Sequence, residues 1–218
     1  MWKINENFSF FRQSVPFVLL SFVLLMMISF WSDELYGIFG ESNYVTIHLM
    51  MEILIIVVTM SIAIQSWLIS RYIVSNRALY IGALFLTISF IELAHALSYK
   101  GMPFFITEST TYAATWFYIL ARLLLSIGCF LIFLVKEKEH HTSSRWLIYS
   151  IPFLIISGCF ALIYAPTHIL PPLVIDGVGP TILKNTLQYI AIAFHVILLW
   201  SFCSNILNIP QNNILTAS

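Results

Sequence analysis

The fold class is decided by Val45–Leu68, which reads VTIHLMMEILIIVVTMSIAIQSWL. Glu52 is the only Asp, Glu, Lys or Arg in this stretch. About 20 apolar residues cross a bilayer, so the stretch is long enough to do so. Its hydrophobicity is continuous, without the two-residue alternation of a membrane β-strand. We therefore predict a transmembrane helix.

The rest of the chain repeats this pattern, so the predicted fold is an all-α polytopic transmembrane helix bundle with six spans. These spans are Val15–Trp31, Val45–Leu68, Leu79–Tyr99, Tyr112–Val135, Trp146–Tyr164 and Asn185–Leu207. We expect a membrane-embedded domain over 15–207, a cytoplasmic N-terminal tail over 1–14 and a cytoplasmic polar tail over 208–218. The irregular segment Ala165–Lys184, rich in Pro and Gly, forms either an ordered cap or a loose connection.

Composition supports this class and excludes others. The 218 residues are 60% hydrophobic and only 9% charged, whereas soluble domains carry about 25% charged residues. A soluble enzyme is therefore excluded. The net charge is zero and Lys and Arg form no cluster, which argues against a nucleic-acid partner. The lipid bilayer is the expected environment.

The Lys and Arg residues predict the orientation, because positive residues are retained on the cytoplasmic side. Seven fall in the loops and tail of one side, namely Lys3, Arg12, Arg71, Arg77, Lys136, Lys138 and Arg145. The opposite loops contribute only Lys100 and Lys184. We expect a multi-pass protein of the cell (inner) membrane with both termini in the cytoplasm.

Three charged residues, Glu52, Glu92 and Arg122, fall inside predicted spans. Each costs at least about 2.5–3.5 kcal/mol at a helix centre, so such groups are normally paired or line a polar cavity. The predicted orientation puts all three in the outer half of the bilayer or near its middle. A functional site at that depth is the expectation.

Helical spacing gives each span one polar stripe, since residues three, four or seven apart share a face. His48 and Glu52 are four apart, and Glu92, His95 and Tyr99 follow one another at three and four. Tyr118 and Ser126 flank Arg122 at four residues on either side, and Trp116 lies beside that stripe. The predicted ligand-binding residues are His48, Glu52, Glu92, His95, Tyr99, Trp116 and Arg122.

Several chemistries suit this set. His48, Glu52, Glu92 and His95 supply two imidazoles and two carboxylates, which suit a transition metal such as iron, copper or zinc. Two of the imidazoles of His48, His95 and His195 would instead be axial ligands of a haem. A proton-responsive or quinone-binding cluster is a third hypothesis. A polar network that fixes helix packing and binds nothing is the fourth.

The motifs also resemble a known family. They run His48-x-x-x-Glu52, Glu92-x-x-His95-x-x-x-Tyr99-Lys100-Gly101-Met102, then Trp116 and Arg122, then Gly177-x-Gly179-x-Thr181-x-x-Lys184. This pattern resembles the third class of bacterial membrane-associated sensor domains, the MASE family, over roughly residues 15–206. HALSYKGM, His95–Met102, is the most specific part. Gln188 departs from the pattern, where an acidic residue is expected.

The resemblance implies an integral membrane input module, normally followed by a cytoplasmic histidine kinase, diguanylate cyclase or phosphodiesterase domain. Only a polar tail follows Leu207, so we expect a truncated or free-standing sensor that is not itself an enzyme. Such modules are often dimers with their output domains, and a homodimer is a possible assembly. A weaker similarity is to ethylene receptors, in which a Cys one turn before a His binds copper. Ile91 takes that place before His95.

The predicted function is therefore a membrane sensor that binds a small ligand, metal or cofactor and regulates a kinase or cyclic-di-GMP output. The alternative is an intramembrane haem or metal redox protein. A hydrolase ranks lower because the chain has no HExxH motif and no Ser-His or Cys-His pair on one span face at this level. A transporter also ranks lower, since the short chain shows no inverted repeat.

Overall fold

The computed structural model describes residues 15–207, apart from 17–18, 21, 25, 71, 73–74, 103–108, 139–143, 167–168 and 176. The two predicted tails, and with them Lys3 and Arg12, lie outside the described residues, as does Arg71. The helices are α1 (Ser32–Ile69), α2 (Asn76–Ser98), α3 (Thr111–Leu134), α4 (Ser144–Ile163) and α5 (Ile182–Leu207). The strands are β1 (Val174–Ile175) and β2 (Gly179–Pro180).

Among the residues described, five helical segments are long and apolar enough to cross a membrane. They are Asn43–Ile69, Asn76–Ser98, Thr111–Leu134, Arg145–Ile163 and Ile182–Ser201. Each coincides within a few residues with one of the predicted spans, and the all-α class is confirmed. The first predicted span, Val15–Trp31, is helical at its described residues up to Phe30. It is not among the five segments, and it stays a prediction.

Contacts divide the chain into two compact units. One is Ile47–Leu198, and it holds every candidate site residue. The other combines Met1–Thr46 with Leu199–Ser218. Within its described part, the rings of Phe30 and Trp31 meet edge to face at 6.0 Å.

Helix α2 lies at the centre of the unit Ile47–Leu198. In the most apolar 18-residue stretch of α2, 61% of the residues are buried. The corresponding stretches of α1 and α3 have 17% and 22% of their residues buried. It packs mainly against α3 and α4, where Ile91, Phe117 and Ile163 are almost completely buried. Because α2 is surrounded by protein, a charged group on it can be withdrawn completely from lipid and water.

One end of α2 is fixed to the carboxyl end of α3. Arg77 donates from Nε to the Val135 carbonyl at 2.8 Å and from Nη2 to the Phe133 carbonyl at 3.2 Å. The amide Nδ2 of Asn76 donates to the Lys136 carbonyl at 3.0 Å. The last carbonyls of a helix lack intrahelical partners, so these bonds both satisfy them and fix the position of α2.

The segment Ala165–Lys184, which was predicted as either a cap or a loose connection, is an ordered cap where it is described. Its two strands pair antiparallel, with Val174 opposite Pro180. Gly177 and Gly179 have φ of +79° and +105°, which the tight turn requires and which side chains rarely adopt. Leu173 is completely buried. The cap thus belongs to the core and covers the start of α3.

Candidate functional site

Three predicted site residues meet between α1 and α2, and we call them the triad: His48, Glu52 and His95. Glu52 Oε1 lies 3.9 Å from His48 Nε2 and 3.8 Å from His95 Nε2. One ligand atom from each residue lies within 4.8 Å of the others. His48 and Glu52 meet because they are one turn apart on α1, and His95 reaches them from α2.

A backbone hydrogen bond fixes the orientation of His95. Its Nδ1 lies 2.8 Å from the Ala114 carbonyl on α3. A carbonyl only accepts hydrogen bonds, so Nδ1 carries the proton, and Nε2 of the neutral ring keeps its lone pair. Nε2 is buried and has no hydrogen-bond partner. Metal-binding histidines are commonly held in this way, by a bond from the second ring nitrogen to a carbonyl.

Glu52 is as buried as His95. The residue is 5% exposed, and its Oε2 is buried without a hydrogen-bond partner. A buried carboxylate is costly unless a cation or hydrogen-bond donors compensate its charge. Its neighbours in the triad are two imidazoles, one from each helix. A buried carboxylate between two imidazoles is a donor set that can hold a cation.

Glu92 and Arg122 form a second, adjacent pair. Arg122 Nη2 lies 3.5 Å from Glu92 Oε1, and Glu92 is completely buried. The Arg122 guanidinium also lies over the Tyr118 ring, 5.1 Å from its centroid. Glu92 therefore has its own counter-charge, and it is not part of the group whose ligand atoms converge. Of the predicted four-residue metal set, the structure brings together three.

A cavity of about 250 Å³ adjoins the triad. Aromatic rings border it: the Tyr99 and His48 ring centroids lie 4.5 Å apart, and those of Tyr118 and His95 lie 5.7 Å apart. Its described lining residues are His48, His95, Tyr99, Lys100, Thr111, Ala114, Thr115, Tyr118 and Lys184. The sequence showed Tyr118 only as a member of the Arg122 stripe, and the two lysines as orientation signals and as members of the family motifs, not as predicted site residues.

Comparison with known proteins decides the family. The family MASE3, described as a membrane-associated sensor domain, matches residues 39–216. This chain belongs to the MASE3 family. The match contains the triad, the Glu92–Arg122 pair and all five candidate spans, but it leaves out the predicted span Val15–Trp31. No curated protein and no solved structure matches the chain.

Two other predicted residues of the MASE3 domain do not join the triad. Trp116 is buried in the core, and its Nε1 donates to the Pro171 carbonyl of the cap at 3.0 Å. His195 on α5 bonds through Nδ1 to the Ala191 carbonyl, one turn earlier, at 2.9 Å. His140, His141 and His168 lie outside the described residues. Trp116, which was predicted to bind the ligand, thus packs in the core and bonds to the cap.

Of the predicted haem-ligand pairs, the pair of His48 and His95 fits this geometry poorly. His48 and His95 would have to bind from opposite faces of a macrocycle lying between them. Their Nε2 atoms instead approach the same oxygen of Glu52, and the two rings meet edge to face at 5.6 Å. A carboxylate between the two imidazoles leaves no room for a porphyrin plane. The arrangement suits a single small ion.

Proposed function

We propose that this MASE3 domain is a metal-responsive input module. In this proposal the triad binds a transition-metal ion, and binding changes helix packing so as to regulate a cytoplasmic histidine kinase or cyclic-di-GMP enzyme. The single observation that carries the proposal is the convergence of two imidazoles and a carboxylate within 4.8 Å.

The ligand types in the triad are those that transition-metal ions prefer. Two imidazoles and one carboxylate are the ligands of many three-residue zinc sites and also suit iron and copper. Ligand atoms about 2.0–2.2 Å from one ion lie roughly 3.4 Å apart in a tetrahedral site. The 3.8 and 3.9 Å separations need to shrink by about 0.5 Å on binding, and the third ligand-atom separation, which lies within 4.8 Å, by up to about 1.4 Å. A divalent ion would also compensate the negative charge of the buried Glu52 carboxylate.

The placement of the ligands suggests how binding would be transmitted. His95 is held by the core, since α2 packs on α3 and α4 and its ring is bonded to Ala114. His48 and Glu52 lie on α1, and only 17% of the residues in its most apolar 18-residue stretch are buried. Drawing the ligands inward would therefore move α1 relative to α2. Binding produces a signal only if α1 and α2 can pack in two ways and the ion binds one of these arrangements more tightly than the other.

The first test is zinc binding by the full chain purified in detergent. Equilibrium dialysis against Zn²⁺, followed by metal analysis, should give about one ion per chain with three protein ligands and one open position. Glu52→Gln keeps the shape of the side chain but removes its charge, and His95→Ala removes one ligand. Both variants should lose zinc. His195→Ala is the matched control, since it removes an imidazole outside the triad, and it should retain zinc.

Two results would contradict the proposed function. One is a wild-type chain that binds no zinc, copper or iron under these conditions. The other is a His95→Ala chain that binds zinc as the wild type does while its circular dichroism shows an unchanged helix content. Either would favour a polar network that fixes helix packing.

A further inference from the structure

The cavity beside the triad has a charge that the metal proposal does not use. Lys100 lines it from the residues that follow α2, and Lys184 lines it from the first turn of α5. Of the described residues that line it, none is acidic. Glu52 approaches the two histidines but is not a lining residue, and Glu92 is paired with Arg122. The cavity wall is therefore electropositive.

Helix ends add to this charge. Thr111, which lines the cavity, is the first residue of α3, and Lys184 lies in the first turn of α5. The amino-terminal ends of helices carry a partial positive charge and attract anions. His95 also lines the cavity, is 5% exposed, and its buried Nε2 has no hydrogen-bond partner. The proposed metal ligand therefore opens onto this positively charged space.

The size of the cavity limits what it could take. Its volume of about 250 Å³ is below the roughly 300–1,000 Å³ typical of pockets for drug-sized ligands. An ion held by three protein ligands also keeps a fourth position open for water or an exogenous group. In this site that position would face the cavity, since two of the three ligands, His48 and His95, line it.

We infer that the cavity binds a small oxyanion, a carboxylate or sulfate-like group, which Lys100 and Lys184 hold while one of its oxygens completes the coordination of the ion. The inference rests on the proposed metal site. In this inference the sensor responds to a metal ion and an anion bound together. Neither component alone would then fill the site, which distinguishes this sensor from a simple metal sensor.

Isothermal titration of the full chain in detergent, loaded with zinc, tests the inference with succinate and with sulfate. Succinamide is the neutral control for succinate. Lys100→Ala and Lys184→Ala should each weaken succinate binding by about tenfold, since each removes one charge-assisted contact. Lys138→Ala is the matched control, because Lys138 is exposed in the loop after α3 and does not line the cavity. It should bind succinate as the wild type does.

Metal analysis of the same samples separates the two proposals. The expected result is that the double lysine variant retains zinc but loses succinate, and that added salt weakens succinate binding to the wild type. A zinc-loaded wild type that binds neither anion would overturn this inference alone. So would a double variant that binds succinate as tightly as the wild type does. A wild type that binds no zinc, copper or iron would overturn both proposals.

Discussion

Replacing Arg122 by alanine should strongly destabilise the protein. Glu92 is completely buried, and Nη2 of Arg122, whose side chain is 32% exposed, lies 3.5 Å from Glu92 Oε1. At this distance two unit charges attract by about 5 kcal/mol for an effective dielectric constant of roughly 20. Removing one member of a fully buried pair costs about 3–5 kcal/mol, because the other charge is left uncompensated. Since Arg122 is partly exposed, its loss should cost less, about 2–3 kcal/mol.

A double-mutant cycle with Glu92→Gln isolates the pair. The double variant has no uncompensated charge, so it should be more stable than Arg122→Ala alone, with a coupling energy of at least about 2 kcal/mol. The assay is reversible unfolding of the purified chain in mixed micelles, followed by circular dichroism. Lys138→Ala, an exposed loop variant, should be near wild type. Additive single effects, or an Arg122→Ala chain within 1 kcal/mol of wild type, would refute the reasoning.

Four further variants test the packing and capping of the helices. Gly82→Ala should cost about 1–3 kcal/mol, because its new Cβ would collide with the Tyr149 hydroxyl. Gly158→Ala, with no atom within 4 Å of its new Cβ, should be neutral or stabilising in the same unfolding assay. Trp116→Phe should cost about 1–2 kcal/mol for its lost indole hydrogen bond, yet leave zinc content unchanged. Thr110→Ala should cost about 1 kcal/mol, since Thr110 caps α3, and a change below 0.3 kcal/mol would contradict that role.

The spans were predictable because their signal is local. About 20 consecutive apolar residues are enough to predict a helix that crosses a bilayer, whatever that helix packs against. Five of the six predicted spans therefore coincide with candidate spans within a few residues. Whether the Pro-rich segment is ordered was not predictable in this way. Its order depends on distant partners, such as the bond from Tyr112 to the Leu170 carbonyl.

Part of the site was predictable for the same reason. His48 and Glu52 share a face through their four-residue spacing alone, and an ionisable group inside a span needs a partner. The spacing could not decide which carboxylate pairs with Arg122. The pairing depends on how α2 and α3 are rotated about their axes. In the structure Glu92 pairs with Arg122, and Glu52 lies beside the two histidines.

The cavity was less accessible to sequence reasoning. Lys100 and Lys184 are remote in sequence: Lys100 follows α2, and Lys184 lies in the first turn of α5. In the sequence they indicated the orientation of the chain and belonged to the family motifs, but no pattern predicted that they share a cavity. Tyr118 had a usable signal, its four-residue spacing from Arg122, but the site prediction did not include it. Long-range packing brings these residues to one cavity, and no local pattern encodes that packing.

X-ray absorption spectroscopy of the zinc-loaded full chain tests the proposed metal site most directly. The proposal predicts a first shell of two imidazole nitrogens and one or two oxygens at about 2.0–2.2 Å. It also predicts that one imidazole disappears from the spectrum of any His95→Ala sample that retains zinc. A shell of oxygen ligands alone, or one unchanged by His95→Ala, would contradict the triad as the metal site.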